Sequence, residues 1–242
     1  MVIIVPCFNE ANRLNKIAFT NFLKKNPDVK IVFSDDGSID NTIKLLEEIQ
    51  TDFKSQIYIC RLKTNVGKAE AVKKGVLYSF DQDFSFNKIA YLDADLSVSL
   101  EECLSFSNQL SNKILFVFGS RISKIDNTIV RSDFRHYSGR FVATIIANLL
   151  NIAVYDTQCG CKIFNAELAK TIFQESFISK WLFDVELFFR IIKLYSKEEL
   201  KEISLEIPLK TWIDTGDSKV KLSYFFKMWR DLYLIKKQYG RD

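Results

Sequence analysis

Short runs rich in β-branched and aromatic residues alternate with helix-length segments through the first half of this 242-residue chain: Val2–Val5, Val29–Ser34, Gln56–Cys60, Lys88–Leu92 and Ile114–Phe118. That alternation leaves few topologies open, because parallel neighbours in a sheet need a crossover of a dozen or more residues between them. The expected fold class is α/β, with a mixed, mostly parallel central sheet flanked by helices. In such sheets ligands sit outside the carboxyl ends of the strands. Here four successive strand ends carry polar or turn-forming residues: Pro6-Cys-Phe-Asn-Glu10, Ser34-Asp-Asp-Gly-Ser38, Asn65-Val-Gly-Lys68 and Asp93-Ala-Asp95.

The last of these is the most pointed. In IAYLDADLSV (Ile89–Val98) an apolar strand runs straight into two carboxylates one residue apart. Two aspartates at i and i+2 can reach one site where the chain leaves its pleat, and an oxygen-only pair suits Mg²⁺ or Mn²⁺, which take further ligands from substrate phosphates. The competing explanation is a strand-end turn that caps the next helix. Asp35-Asp36-Gly37-Ser38 reads as a β-to-α turn in which Asp36 could also accept from a base imide or a ribose hydroxyl. Asn65-Val-Gly-Lys68 puts a glycine turn and a cation at a helix start, which favours an anion, without the spacing of a P-loop.

Downstream of Gly119 the pattern becomes a loop, a helix over Arg135–Leu150, a turn over Asp156–Cys161, and amphipathic helices over Phe183–Tyr195 and Leu222–Tyr239. No Pro/Gly/Ser-rich linker separates the halves, so one domain over 1–242 is expected. Charge is nearly balanced, 34 Lys+Arg against 30 Asp+Glu, which gives no reason to expect a nucleic-acid partner. The five cysteines form no C-x-x-C pair, so neither a disulfide framework nor a zinc site is expected, and a reducing, cytoplasmic compartment is the simpler reading. The N-terminus carries no signal-peptide pattern. The longest uncharged run, Phe141–Tyr155, has 15 residues, short of the roughly 20 a spanning helix needs, so no transmembrane segment is expected. The segment Lys221–Arg241 mixes aromatic and basic residues in the manner of an interfacial helix, with core packing expected of its first half and surface contact of its basic end.

Taken together, VIIVPCFNE, FSDDGSIDNT, NVGKAEAVKKG and YLDADLS resemble, in that order, the nucleotide-sugar half of the inverting glycosyltransferases of family 2, which share the GT-A fold. The later motifs GSRI (Gly119–Ile122), VRSDFR (Val130–Arg135), YDTQCGCKIF (Tyr155–Phe164), KWLFDVELFFR (Lys180–Arg190) and DSKVKL (Asp217–Leu222) are similar to the dolichyl-phosphate glucosyltransferase and polyprenyl-phosphate glycosyltransferase branch. The resemblance runs from Val2 to about Tyr233. It implies a nucleotide-sugar-binding half over 1–118 and an acceptor-binding half over 119–242 that ends in the amphipathic helix.

What the resemblance implies for the site can be stated residue by residue. Pro6, Asn9 and Glu10 are expected to wall the nucleotide pocket, Asp36 to bind uracil or ribose, and Lys68 to lie near the base. Asp93 is expected to seat the nucleotide and Asp95 to hold the metal, with Asp93 beside it. The expected donor is UDP-glucose and the expected acceptor a polyprenyl phosphate at the cytoplasmic membrane face. A phosphate monoester has its second pKa near 6, so such an acceptor is already an oxyanion at neutral pH, whereas a sugar hydroxyl would need a general base.

Arg121, Arg131 and Arg135 suit a phosphate because guanidinium groups bind it in a planar, bidentate manner; otherwise they form a solvated basic loop. Thr157 and Gln158 either bond sugar hydroxyls or belong to a structural turn whose Gly160 permits close backbone approach. Asp184 and Glu186 sit where hydroxyl-accepting relatives carry a base. Here they orient the acceptor, pair with an arginine or cap their helix, with positioning weighed above base chemistry. The expected catalytic set is Asp93, Asp95, Asp184 and Arg121, and the expected acceptor set Arg121, Arg131, Arg135, Gln158, Asp184 and Glu186. The lone His136 is expected to be structural or a minor phosphate contact. Two other readings stand beside this one: the same fold and donor with a saccharide hydroxyl as acceptor in cell-surface polysaccharide synthesis, and a non-catalytic nucleotide-sugar binding protein.

Overall fold

The computed structural model describes residues 1–130, 133–213 and 224–240, with the backbone alone for 133–136, 138 and 224–226. The first half builds β1 (Val2–Cys7), α1 (Lys16–Lys25), β2 (Lys30–Asp35), α2 (Thr42–Asp52), β3 (Ile57–Arg61), α3 (Lys68–Phe80), β4 (Lys88–Leu92), α4 (Leu100–Ser107) and β5 (Phe116–Ser120). The second adds β6 (Thr128–Val130), α5 (Asp133–Leu150), β7 (Cys161–Asn165), α6 (Ala166–Ile172), α7 (Phe183–Tyr195), α8 (Lys197–Ile203), β8 (Ser204–Pro208), β9 (Thr211–Ile213) and α9 (Tyr224–Tyr239). All five expected strands are present, shifted by up to two residues at their ends. Leu222, placed by the sequence in the last helix, lies outside the described residues.

One seven-stranded sheet runs in the order β3-β2-β1-β4-β7-β5-β8, and β6 pairs with β9 in a small parallel ladder beside it. Every pairing in the large sheet is parallel except those of β7, which runs antiparallel between β4 and β5. The mixed, mostly parallel sheet expected from the sequence is thus what forms, with strands from both halves in it. The central strands read as continuous apolar runs because helices cover both faces. Along β1, Val2 and Ile4 face a core built with α3, α6, α7 and α9, while Ile3 and Val5 face the one built with α1, α2 and α4. Gly75 lets α3 lie close on β1, since a Cβ there would come 2.5 Å from Ile4 Cγ2.

Two strands of the large sheet escape the sequence reading. The segment CKIFN of β7 carries a lysine in an apolar run, and SLEIP of β8 is short and ends in proline; neither stands out by period alone. Yet β7 is the strand that positions the site. Its register sets Lys162 opposite Tyr91 and Cys161 opposite Leu92, and the Asp93 N–H continues the ladder to Gly160 O at 3.2 Å. The turn before β7 is therefore zipped to the acidic end of β4.

Helix α5 buries Ile146 and Leu150 and leaves Phe141 exposed, so the uncharged Phe141–Tyr155 run is partly a core element. Along α9, Met228, Leu232 and Ile235 face inward, and Tyr239 packs on Phe189 and donates its hydroxyl to Glu186 Oε1 at 2.9 Å. Core contact thus reaches the basic end, where surface contact was expected to prevail; Lys227, Trp229, Arg230, Tyr233, Lys236 and Lys237 remain exposed on the other side. Among the described residues no helix is long and apolar enough to cross a membrane. All five cysteines are buried, and none is in a disulfide.

Candidate active site

The first three strand ends are tied to each other by short polar contacts. The loop after β1 is pinned to the turn after β2: Asn9 N–H donates to Ser38 Oγ (2.9 Å), Glu10 N–H to Thr42 Oγ1 (2.7 Å), and Ile39 N–H to Asn9 Oδ1 (3.0 Å). Asn9 adopts φ 52°, a left-handed conformation that asparagine tolerates. The turn after β2 is tied in the same way to the one after β3, because Asp36 accepts Val66 N–H (2.7 Å) on one oxygen and Gly67 N–H (2.8 Å) on the other. Burial raises the pKa of Asp36 against the opposing pull of those two N–H groups. Gly67, at φ 102°, then turns the chain into α3 without a side-chain cap, directing the positive end of that helix toward the space enclosed.

That space is a pocket of about 440 Å³ lined by, among others, Pro6, Glu10, Asp36, Lys68, Asp93 and Asp95. It gathers the expected donor residues with one exception: Asn9 is absent from the lining and instead fixes the loop that Pro6 and Glu10 present. Phe8, Arg13, Asn65 and Trp181 also line it. Of these Arg13 is the residue the sequence reading missed. Its guanidinium lies 3.4 Å from Asp95 Oδ2 and 3.6 Å from Glu10 Oε2, and only its position three residues past Glu10 could have suggested it.

Both aspartates of the DAD motif are paired with cations. Lys68 Nζ is 2.5 Å from Asp93 Oδ1, so its ammonium stands at the acidic end of the pocket, in the same lining as Asp36. Burial disfavours its charge, but Asp93 and Asp184 outweigh that and raise its pKa. Asp95 Oδ1 accepts from Ser97 N–H (3.0 Å) and Ser97 Oγ (2.9 Å), which leaves Oδ2 turned to Arg13. Gly160 seats the other carboxylate: a Cβ at this position would overlap Asp93 Oδ2 and lie 2.6 Å from its Cγ. The close approach expected of this glycine is thus an approach to Asp93.

The acceptor-side residues behave differently from the donor set. Arg121 is bound bidentately by Asp156, Nε to Oδ2 at 2.7 Å and Nη2 to Oδ1 at 2.9 Å, and its guanidinium lies over the Trp212 ring. The charge expected to meet a phosphate is therefore largely balanced within the protein. Glu186 is fully buried, accepting from Arg190, Tyr239 and Ile178 N–H, so it ties α7 to α9 and the preceding loop and has no access to an acceptor. Asp184 is buried as well: Oδ1 accepts from the Tyr91 hydroxyl and from Lys162 Nζ at 2.5 Å. Burial, and then the Asp184 charge, push the Tyr91 pKa well up, which keeps it a donor. Gln158 is half-buried on the Asp156 turn, and Thr157 is buried with its hydroxyl unpartnered. Arg131 lies outside the described residues, as do the side chains of Arg135 and His136 and the whole of Asp217–Leu222.

Asp156 offers a test through pH. Burial alone would raise its carboxyl, but the Arg121 guanidinium beside it holds it down at about 2, against an ordinary 3.8. A folded value below the unfolded one adds stability that is complete above about pH 4 and lost as pH falls through about 2, worth about 2 kcal/mol. Urea unfolding of Asp156→Asn should show that loss at pH 6 and a flatter dependence than wild type between pH 4 and 2. Parallel acid limbs in the two proteins would mean the pair does not stabilise the fold.

The ligand pair Asp93 and Asp95 is all oxygen, two carboxylates on one pocket wall, and among the described residues no group of three or more acidic, His or Cys side chains is placed to hold an ion by itself. That fits a hard divalent ion completed by substrate phosphates and does not fit a closed structural site.

Comparison with known proteins agrees with this construction. The family model "Glycosyl transferase family 2" matches residues 2–173. A dolichyl-phosphate beta-glucosyltransferase of Dictyostelium discoideum is 31% identical, covering 98% of this chain and 74% of the relative, and the Homo sapiens protein of that name is 27% identical, covering 94% and 76%. Among solved structures, glucosyl-3-phosphoglycerate synthase of Mycobacterium tuberculosis bound to UDP superposes with TM-score 0.69 at 13% identity, covering 100% of this chain and 80% of that one. The same enzyme, solved with Mn²⁺, UDP-glucose and phosphoglyceric acid, superposes with TM-score 0.69 at 14% identity over the same shares. At that identity the likeness shows the fold, which is GT-A. A family match that runs through all four polar strand ends, on a fold that gathers those ends around one pocket, makes this chain a member of glycosyltransferase family 2.

Proposed function

We propose that the protein transfers glucose from UDP-glucose to a polyprenyl phosphate of the dolichyl type, inverting the anomeric carbon, with Mg²⁺ or Mn²⁺ as cofactor, at the cytoplasmic face of a membrane. The observation that carries the acceptor class is the state of Asp184. The carboxylate at the position of a base is buried and engaged by Lys162 and Tyr91, so a hydroxyl nucleophile would find no free base there. A phosphate acceptor needs none, since it arrives ionised. The names of the relatives support the same acceptor, and the Mn²⁺ complex of the structural neighbour supports the cofactor.

In this reading the domain divides its work, residues 1–118 holding the donor and 119–242 the acceptor. Pro6 and Glu10 wall the nucleotide, Asp36 stands where a base or ribose can meet it, and the α3 N-terminus with Lys68 favours the diphosphate. Asp95 and Asp93 are the residues that would hold the divalent ion, which when bound neutralises the charge developing on the leaving diphosphate. Lys68 and Arg13 balance the two carboxylates and are near enough to meet the phosphates in turn. Arg121 keeps its N–H fork in the acceptor half with Asp156 as counter-charge, while Arg131, Arg135 and Gln158 complete the proposed acceptor set. The exposed Trp229, Tyr233, Lys227, Arg230, Lys236 and Lys237 of α9 suit peripheral contact with anionic lipid headgroups.

The test is transfer of radiolabelled glucose from UDP-glucose to polyprenyl phosphate in liposomes with Mn²⁺. Absence of lipid-linked sugar across UDP- and GDP-sugar donors would remove the lipid acceptor. Asp184→Asn separates the two acceptor chemistries. With a phosphate nucleophile kcat should stay within about tenfold of wild type, whereas loss of a general base costs roughly 10²–10⁴. A fall of that larger size, in a variant that keeps the wild-type gain in UDP affinity on adding Mn²⁺, would favour a hydroxyl acceptor.

A further inference from the structure

We propose that Lys162 is a positioning residue for the donor site, holding the Cys159–Gly160 peptide so that Gly160 seats the Asp93 carboxylate. The inference rests on the reading of Asp93 and Asp95 as the diphosphate and metal station. Lys162 lies in the middle of β7, fully buried, in register with Tyr91 on one side and Phe118 on the other. Phe116 and Phe164 stack two residue pairs away, so this part of the sheet is otherwise aromatic core. An apolar side chain would satisfy such a place, and an ammonium there must be compensated by every partner it can reach.

Its partners are two oxygens and a ring: Asp184 Oδ1 at 2.5 Å, Cys159 O at 2.7 Å, and the Tyr91 face at 5.4 Å. Asp184 anchors the ammonium from α7. The bond to Cys159 O fixes the orientation of the peptide that leads into Gly160. Gly160 in turn accepts the Asp93 N–H at 3.2 Å, and its bare Cα leaves room for the Asp93 carboxylate. A chain of direct contacts therefore runs Asp184, Lys162, Cys159, Gly160, Asp93, and only its last member faces the pocket. Lys162 touches no donor group in this arrangement, so it acts through Asp93.

The test compares UDP binding by calorimetry, with and without Mn²⁺, in wild type, Lys162→Met and Lys162→Met/Asp184→Asn. The single variant leaves a buried carboxylate without its cation and is at risk of not folding. The double variant is neutral at both positions and keeps an acceptor for the Tyr91 hydroxyl. We expect the double variant to melt cooperatively, to bind metal-free UDP as wild type does, and to lose tenfold or more of the affinity that Mn²⁺ adds. A double variant with the wild-type Mn²⁺ increment overturns the positioning role. If Mn²⁺ adds nothing to UDP binding in wild type, the metal station itself falls and takes the inference with it.

Discussion

Gly160→Ala is expected to cut transfer by ~100-fold or more while the protein still melts as a single cooperative unit. The new methyl group would overlap Asp93 Oδ2 and stand 2.6 Å from Asp93 Cγ, and the atom it meets belongs to a short side chain with one useful rotation. Relief comes by turning the carboxylate away, which breaks its contact with Lys68 and takes it off the pocket wall. A displacement of about 1 Å at a reacting centre can cost roughly 10² in rate. The cost to the fold should be small, because Gly160 is half-buried, its φ is not left-handed and its own backbone bond to Asp93 N–H needs no glycine. Steady-state kcat with a thermal melt decides the matter. Near-wild-type kcat would show that Asp93 does not need its observed position.

The donor half was legible because its chemistry sits at strand ends, and strand ends are what period and turn residues reveal. Val2–Val5 into Pro6–Glu10 and Lys88–Leu92 into Asp93–Asp95 each announce a buried strand and then a polar break, and the pocket joins those breaks as expected. Charge pairing was not legible. Nothing local in GSRI says that Arg121 is committed to Asp156, thirty-five residues on, or that Asp184 on α7 will meet Lys162 on β7. These partners are set by the antiparallel insertion of β7 between β4 and β5, whose short lysine-bearing segment looks unlike a central strand. For Glu186, expected to orient the acceptor, pair with an arginine or cap its helix, the arginine pair is what forms, with Arg190. What the local pattern did not show is that α9 and the 172–178 loop close over it and make it the hub for Arg190 and Tyr239.

Asp95→Asn is expected to lower metal-dependent transfer by about 10²–10³ without unfolding the protein, and its value lies in what it keeps. Asp95 has two tasks that an aspartate at a strand end could perform: its Oδ1 caps the turn through Ser97 N–H and Ser97 Oγ, and its Oδ2 faces the pocket beside Arg13. Asparagine caps a turn about as well as aspartate, so the first task survives the substitution. The second does not, because a neutral amide is a poor ligand for a hard divalent ion that has few protein donors, and electrostatic stabilisation of the leaving group is lost with it, a loss of the size seen when one preorganised charge partner is removed. Metal-free UDP should bind as before, while the Mn²⁺ concentration needed for half-maximal transfer should rise. If instead kcat and the Mn²⁺ titration both match wild type, Asp95 is a turn cap and the ion must be held by Asp93 with the donor phosphates alone.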